Sequence, residues 1–182
     1  MQLKVHISRT FLKEAAFTIC LALVIFIAVQ AILVQIVVEQ MSMIPSVEDG
    51  QRVLINKVTY YFHDPERGDI IVFNPLDQSG KIPLIKRIVG LPGETVEIES
   101  GLVYIDEFPL EEPYIRSHPN YVLAPIIVPE QHYFVLGDNR NNSRDSHQGW
   151  TVPEDNIVGK AWISIWPPDK WGLAPNYAYA SK

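Results

Sequence analysis

ETVEIESGLVYI, residues 94–105, is the stretch that decides the fold. Val96 and Ile98 alternate with Thr95, Glu97 and Glu99, the period of two by which a strand buries one face and wets the other. Glu99-Ser100-Gly101 then reads as a hairpin turn into a second run, GLVYI. Outward from this hairpin the same grammar repeats in QRVLINKVTYYF (51–62), GDIIVF (68–73), LIKRIVG (84–90), HYFVLGD (132–138) and IVGKAWISIW (157–166). Each run is short, rich in Val, Ile, Phe and Tyr, and bounded by Gly, Pro, Asp or Asn. Fourteen prolines spread along 182 residues discourage long helices in this region. The expected class is mainly β and barrel-like. The least regular stretch, 106–130, is expected to be an extended excursion between two strands.

The N-terminus follows a different pattern. From Ala15 to Val38 no residue is charged (AAFTICLALVIFIAVQAILVQIVV), and a bilayer core needs about 20 apolar residues in a helix. A cleaved signal peptide has a shorter apolar region, about 7–15 residues, followed by small residues; this run ends instead in VVEQM. It is read as an uncleaved transmembrane signal-anchor over 15–38. Lys4, Arg9 and Lys13 precede it against Glu14 alone, so the positive-inside rule keeps segment 1–14 cytoplasmic and places 39–182 outside the cytoplasm. From Gln40 onward, 12 basic residues face 19 acidic ones, a net −7 that argues against nucleic acid as a partner. The single cysteine, Cys20, lies inside the apolar run, which leaves the outer part without a disulfide or a thiolate metal site.

Several chemistries lack their signatures. There is no GxSxG elbow, no HExxH and no GxxxxGK[ST]. DNRNNSRD (138–145) departs from a calcium loop, with Arg140 at the third position, Ser143 at the sixth and Gly149 at the twelfth. Asn141-Asn142-Ser143 fits a glycosylation acceptor, relevant only in a host with that machinery. Five histidines leave a Ser–His–acid triad open on composition, without an arrangement that points to one.

Lys86 is more informative. In PLIKRIVG both strand faces are mostly apolar, yet Lys86 and Arg87 stand in the middle. A lysine buried without an acid partner tends to lose its proton. Lowering its pKa from about 10.4 to about 8 takes roughly 3 kcal/mol of differential solvation, within reach of an apolar site. The neutral amine is then a competent general base. The alternative is a lysine that snorkels to water from a strand end. Ser42, between Met41 and Met43, reads as a loop serine or as the hydroxyl such an amine would activate. LGDNRNNSRDSHQGW (136–150) reads as a polar hairpin connection or as a network that holds catalytic groups.

Taken together and in order, these segments resemble type I signal peptidase, a membrane-anchored Ser–Lys protease. SMIPS (42–46) resembles the family's nucleophile segment, RGDIIVF (67–73) one of its strands, KRIVGLPGE (86–94) its lysine segment and GDNRNNSRDS (137–146) its last box. EEPYI (111–115), VPEQHYFVLGDNR (128–140) and GKAWISIWP (159–167) read like family connectors, so the resemblance covers nearly everything from Ser42 to Pro167 plus the anchor. It implies Ser42 as nucleophile and Lys86 as general base, with Ser143 and Asp145 positioning the lysine. It also implies Arg87 and Asp138 as supports and the Ser42 backbone N–H as an oxyanion donor. Two positions depart from the pattern. Where some members carry an oxyanion-binding serine there is Gln40, whose amide is a possible second donor. Where the box usually continues with arginine there is His147, which puts in doubt an ion pair with Asp145.

The implied activity is cleavage of signal peptides from secretory precursors, after Ala-like residues at the first and third positions before the cut, with no metal or cofactor. The implied place is a plasma (inner) membrane, single-pass, or a thylakoid or other organellar membrane; the bilayer is a partner and the oligomeric state is not specified. Ser42 follows Val38 by four residues, at most roughly 14 Å of extended chain. Two other classes stay open: a catalytically silent member serving as a membrane-anchored binding module, favoured by Gln40 and His147, and an unrelated single-pass protein with a β ectodomain.

Overall fold

The computed structural model describes residues 9–75 and 82–179. Most of the segment read as cytoplasmic, including Lys4, lies outside the described residues. The chain begins with helix α1 (Arg9–Ile32) and continues through β1 (Leu33–Val37), β2 (Arg52–Asn56), β3 (Ile70–Phe73) and β4 (Leu84–Gly90). The hairpin β5 (Thr95–Glu99) and β6 (Leu102–Ile105) follows, then β7 (Phe108–Pro109), β8 (Leu123–Ile127) and β9 (His132–Leu136). The last elements are β10 (Val152–Pro153), β11 (Ile157–Trp166) and β12 (Gly172–Leu173).

The fold is mainly β. An eight-stranded antiparallel sheet has the order β1-β2-β11-β3-β4-β9-β10, with β12 paired to β11. β11 pairs in turn with β2 and β3, and its register shifts near Ile157/Gly159, Ala161/Ile163 and Ser164/Trp166 curl the sheet towards an open barrel. A four-stranded sheet, β7-β6-β5-β8, leans on it through a core of Val89, Val96, Ile98, Val103, Phe134 and Leu136. The alternation in 94–105 does what it predicts: Val96, Ile98, Val103 and Ile105 point inward, while Ser100 and Gly101 both take positive φ, as a tight twisted hairpin requires. β3 and β4 are buried on both faces, which is the setting read from LIKRIVG.

Three elements differ from the sequence reading. The uncharged run does not stay helical to Val38: the helix ends at Ile32, and LVQIV forms β1, in register with β2 from Leu33↔Asn56 to Val37↔Arg52. Val34 and Ile36 pack on the core and Val38 is buried, whereas Gln35 and Val37 face out. Pairing with β2 overrides a hydropathy that suits a helix equally well. Measured from Ile32, Ser42 is ten residues away, so the extended-chain limit on its distance from the helix rises to roughly 33–36 Å. Segment 106–130 is not all excursion either, since it supplies β7 and the edge strand β8. QRVLINKVTYYF, in turn, is strand only to Asn56 and then a 3-10 turn at Thr59–Tyr61.

The stretch Thr10–Ile32 is long and apolar enough to cross a membrane. Phe17, Ile19, Leu23, Phe26 and Ile27 on it are all exposed, as suits side chains meant for lipid.

Candidate active site

Ser42 sits in a 3-10 turn, Met41–Met43, within a loop whose ends are tied by Val38 N–H to Gln51 O (2.9 Å) and Gly50 N–H to Val38 O (2.7 Å). Met43 and Val47 anchor the loop in the core while Met41 points outward, so the apolar neighbours of Ser42 have divided roles. Asn139 fixes the turn from the other side: its backbone N–H donates to Ser42 O (2.9 Å) and its side-chain amide to Met41 O (3.0 Å).

Lys86 reaches this turn from β4. Its Nζ donates to Ser42 Oγ at 2.7 Å and to Ile85 O at 2.9 Å, with the residue 1% exposed. Burial pushes the amine down from 10.5 to about 8, against the opposing pull of the Asp145 and Asp138 carboxylates. A hydroxyl and an amine that is neutral at mildly alkaline pH are thus held in contact away from water. That pair can move a proton.

Asp145 is fully buried and holds two partners. Its Oδ2 accepts the Gly137 N–H (2.8 Å), and its Oδ1 lies 2.6 Å from His147 Nδ1, an ion pair whenever the imidazole is protonated. His147 also stacks on Tyr121, with ring centroids 4.3 Å apart. His147 thus stands beside Asp145 at the position where the family pattern has arginine. Ser146 Oγ accepts the Val135 N–H at 3.0 Å and ties the box to β9.

Arg87 and Asp138 form a bidentate pair, Nε to Oδ1 at 2.9 Å and a terminal nitrogen to Oδ2 at 2.7 Å, both side chains 0% exposed. The guanidinium also donates to Ser46 Oγ (3.3 Å) in the Ser42 loop and to Gly68 O (2.7 Å). A second buried cation, Arg140, pairs with Glu112 at 2.8 Å, which ties the box to segment 106–130.

One expected contact does not form. Ser143 makes no hydrogen bond to Lys86; among the described residues its Oγ is buried without a partner. It packs instead against Gly137, where an added Cβ would lie 2.3 Å from Ser143 Oγ and 2.5 Å from Ser42 O. Gln40 caps the turn in extended conformation with no side-chain hydrogen bond to it. The residues that sequence reading passed over are Asn139, Ser146 and Gly137, which share the box with the named ones, and Tyr114, whose ring lies 4.0 Å from the Arg87 guanidinium. Their signal was the motif itself, which marks residues without saying which bond each makes.

The chain is similar to known signal peptidases. The family model described as "Signal peptidase, peptidase S26" matches residues 9–166. A probable signal peptidase I-1 from Synechocystis sp. is 44% identical over 144 residues, 76% of this chain and 74% of the relative. Signal peptidase I from Leptolyngbya laminosa is 42% identical over 176 residues, 92% and 87% of the two chains. The crystal structure of a signal peptidase I from Enterococcus faecalis V583 aligns with TM-score 0.46 and 35% identity, covering 54% of this chain and 97% of that one. With a match that runs through the Ser42 loop, β4 and the polar box, this chain belongs to the signal peptidase family, peptidase S26.

Proposed function

We propose that the chain is a membrane-anchored serine endopeptidase that removes signal peptides from exported precursors, with Ser42 as nucleophile and Lys86 as general base. The observation that carries the reading is the 2.7 Å contact between Lys86 Nζ and Ser42 Oγ inside a buried site. In the neutral amine the nitrogen lone pair takes the Ser42 proton as Oγ attacks the scissile carbonyl. The Ser42 backbone N–H stabilises the oxyanion. The Lys86 ammonium then gives its proton to the leaving amine, the new N-terminus of the mature protein. Lys86 next deprotonates a water that hydrolyses the ester, and the signal peptide leaves as a carboxylate. Asp145 and Asp138 keep the amine from falling further than about 8, while His147 and Arg87 hold those carboxylates in place.

The helix anchors the enzyme with its N-terminus in the cytoplasm and the β domain outside, in a plasma or thylakoid membrane. The precursor binds as an extended strand along a sheet edge, main-chain bonds giving affinity and small pockets selecting Ala-like side chains. Cleavage of a pre-secretory protein by the detergent-solubilised chain tests the assignment. Ser42→Ala and Lys86→Ala each lower kcat by at least about 10³-fold. A Ser42→Ala chain that still cuts at the wild-type rate removes Ser42 from the mechanism.

A further inference from the structure

The match to the family ends at residue 166, yet the polypeptide returns to the site after it. Beyond β12, Asn176 bridges two strands: its Oδ1 accepts the Ile70 N–H (2.7 Å) and its Nδ2 donates to Ala161 O (2.9 Å). The Tyr177 N–H donates to Gly68 O at 3.1 Å, and the approach is so close that a Cβ on Gly68 would stand 1.8 Å from Tyr177 O. Tyr179 Oη lies 2.8 Å from Tyr114 Oη and donates to Glu111 O at 2.8 Å, closing an aromatic cluster over Tyr114.

Between these contacts lies Pro175, whose carbonyl accepts from Arg87 at 3.0 Å. A guanidinium has five N–H donors. In Arg87 the two carboxylate oxygens of Asp138, Ser46 Oγ, Gly68 O and Pro175 O account for all of them. The last acceptor comes from the C-terminal segment, and its loss leaves a fully buried cation with an unmet donor.

We propose that segment 174–179 is a positioning strap of the active site: by completing the cage around Arg87 it fixes Asp138 and Ser46, and through them the nucleophile loop against Lys86. The linkage is short. Arg87 is the strand neighbour of Lys86, and it grips the nucleophile loop through Ser46. Asp138 lies between Gly137, whose N–H holds Asp145, and Asn139, whose N–H holds Ser42 O. The strap touches neither hydroxyl nor amine; it acts through Arg87. The proposal rests on the reading of Lys86 as base.

Its test compares the full chain with one stopped after Leu173 and with Asn176→Ala, all in detergent on the same pre-secretory protein, with Lys86→Ala in parallel. The shortened chain is expected to lose about 10²-fold in kcat with KM little changed. Its acid limb should move up from about pH 8 towards the value of a hydrated lysine, as water reaches the amine flanked by Asp145 and Asp138. A synthetic peptide of residues 173–182 added in trans should restore part of kcat. Asn176→Ala should shift both readouts in the same sense by less. The proposal is overturned if the shortened chain keeps wild-type kcat, or if kcat falls with the acid limb unmoved, as a general loss of fold would produce. Should the shortened chain not fold, Asn176→Ala decides: folded by near-ultraviolet circular dichroism with an unaltered pH profile, it also overturns the strap. If Lys86→Ala itself remains active, the base assignment fails instead.

Discussion

Lys86 is an ionisable side chain buried almost completely in β4, and its charge state bears on the stability of the fold. Its native pKa, about 8, lies below the ordinary 10.5, so folding works against its protonation. The penalty is in full force below about pH 8, where both states would carry the proton, and fades as pH rises towards 10.5, where both release it. The depression corresponds to about 3 kcal/mol. Lys86→Met should therefore abolish cleavage yet raise stability at pH 7 by roughly 1–3 kcal/mol, in urea unfolding of the solubilised chain. The gain should vanish above about pH 10.5; a variant less stable than wild type at pH 7 would refute the desolvation account. Gly137 is limiting for a steric reason. Its position admits no Cβ without moving the Ser42 carbonyl or Ser143, so Gly137→Ala should lower kcat by about 10²-fold, read in the same cleavage assay.

At the scale of elements, the polar box is held to the sheet by side chains that return to the backbone. Ser146 accepts the Val135 N–H in the middle of β9, a buried bond with no solvent alternative. Ser146→Ala should cost about 1–3 kcal/mol and show as a lower urea midpoint. An unchanged midpoint would mean that the Ser146 bond contributes nothing to holding the box. Segment 106–130, unassigned from its sequence, closes the second sheet with β8 and supplies Glu112 to Arg140. Burial pushes the Glu112 carboxyl up while Arg140 pulls it back. The segment buttresses the box. Pro125 in the middle of LAPII kept it from reading as a strand.

For the molecule as a whole, helix α1 gives way to the β domain at Ile32, six residues before the apolar run ends at Val38. A soluble form beginning at residue 33 retains β1 and the inward side chains Val34, Ile36 and Val38. One beginning at residue 39 bares the edge of β2 and removes those side chains from the core, each worth about 1.5–3 kcal/mol when fully buried. The longer form should unfold at a clearly higher urea concentration and stay monomeric by light scattering. Equal midpoints would show that β1 contributes nothing to the domain.

What the sequence determined by itself is local or compositional. Alternation gave the hairpin at 94–105, two-sided apolar character marked β4 as buried, and four ordered motifs marked the family and gathered Ser42, Lys86, Arg87, Asp138 and Asp145 into one site. Where a residue's state depends on a distant partner, only the tertiary structure decided it. The end of α1 at Ile32 is set by pairing with β2, the place of His147 by Asp145 and Tyr121, and the orientation of Ser143 by its packing on Gly137. Segment 174–179 carries no local signal because its partners, Arg87, Gly68, Ile70, Ala161, Glu111 and Tyr114, are all distant in sequence, and its contacts to Arg87 and Gly68 use backbone groups that every residue type offers alike.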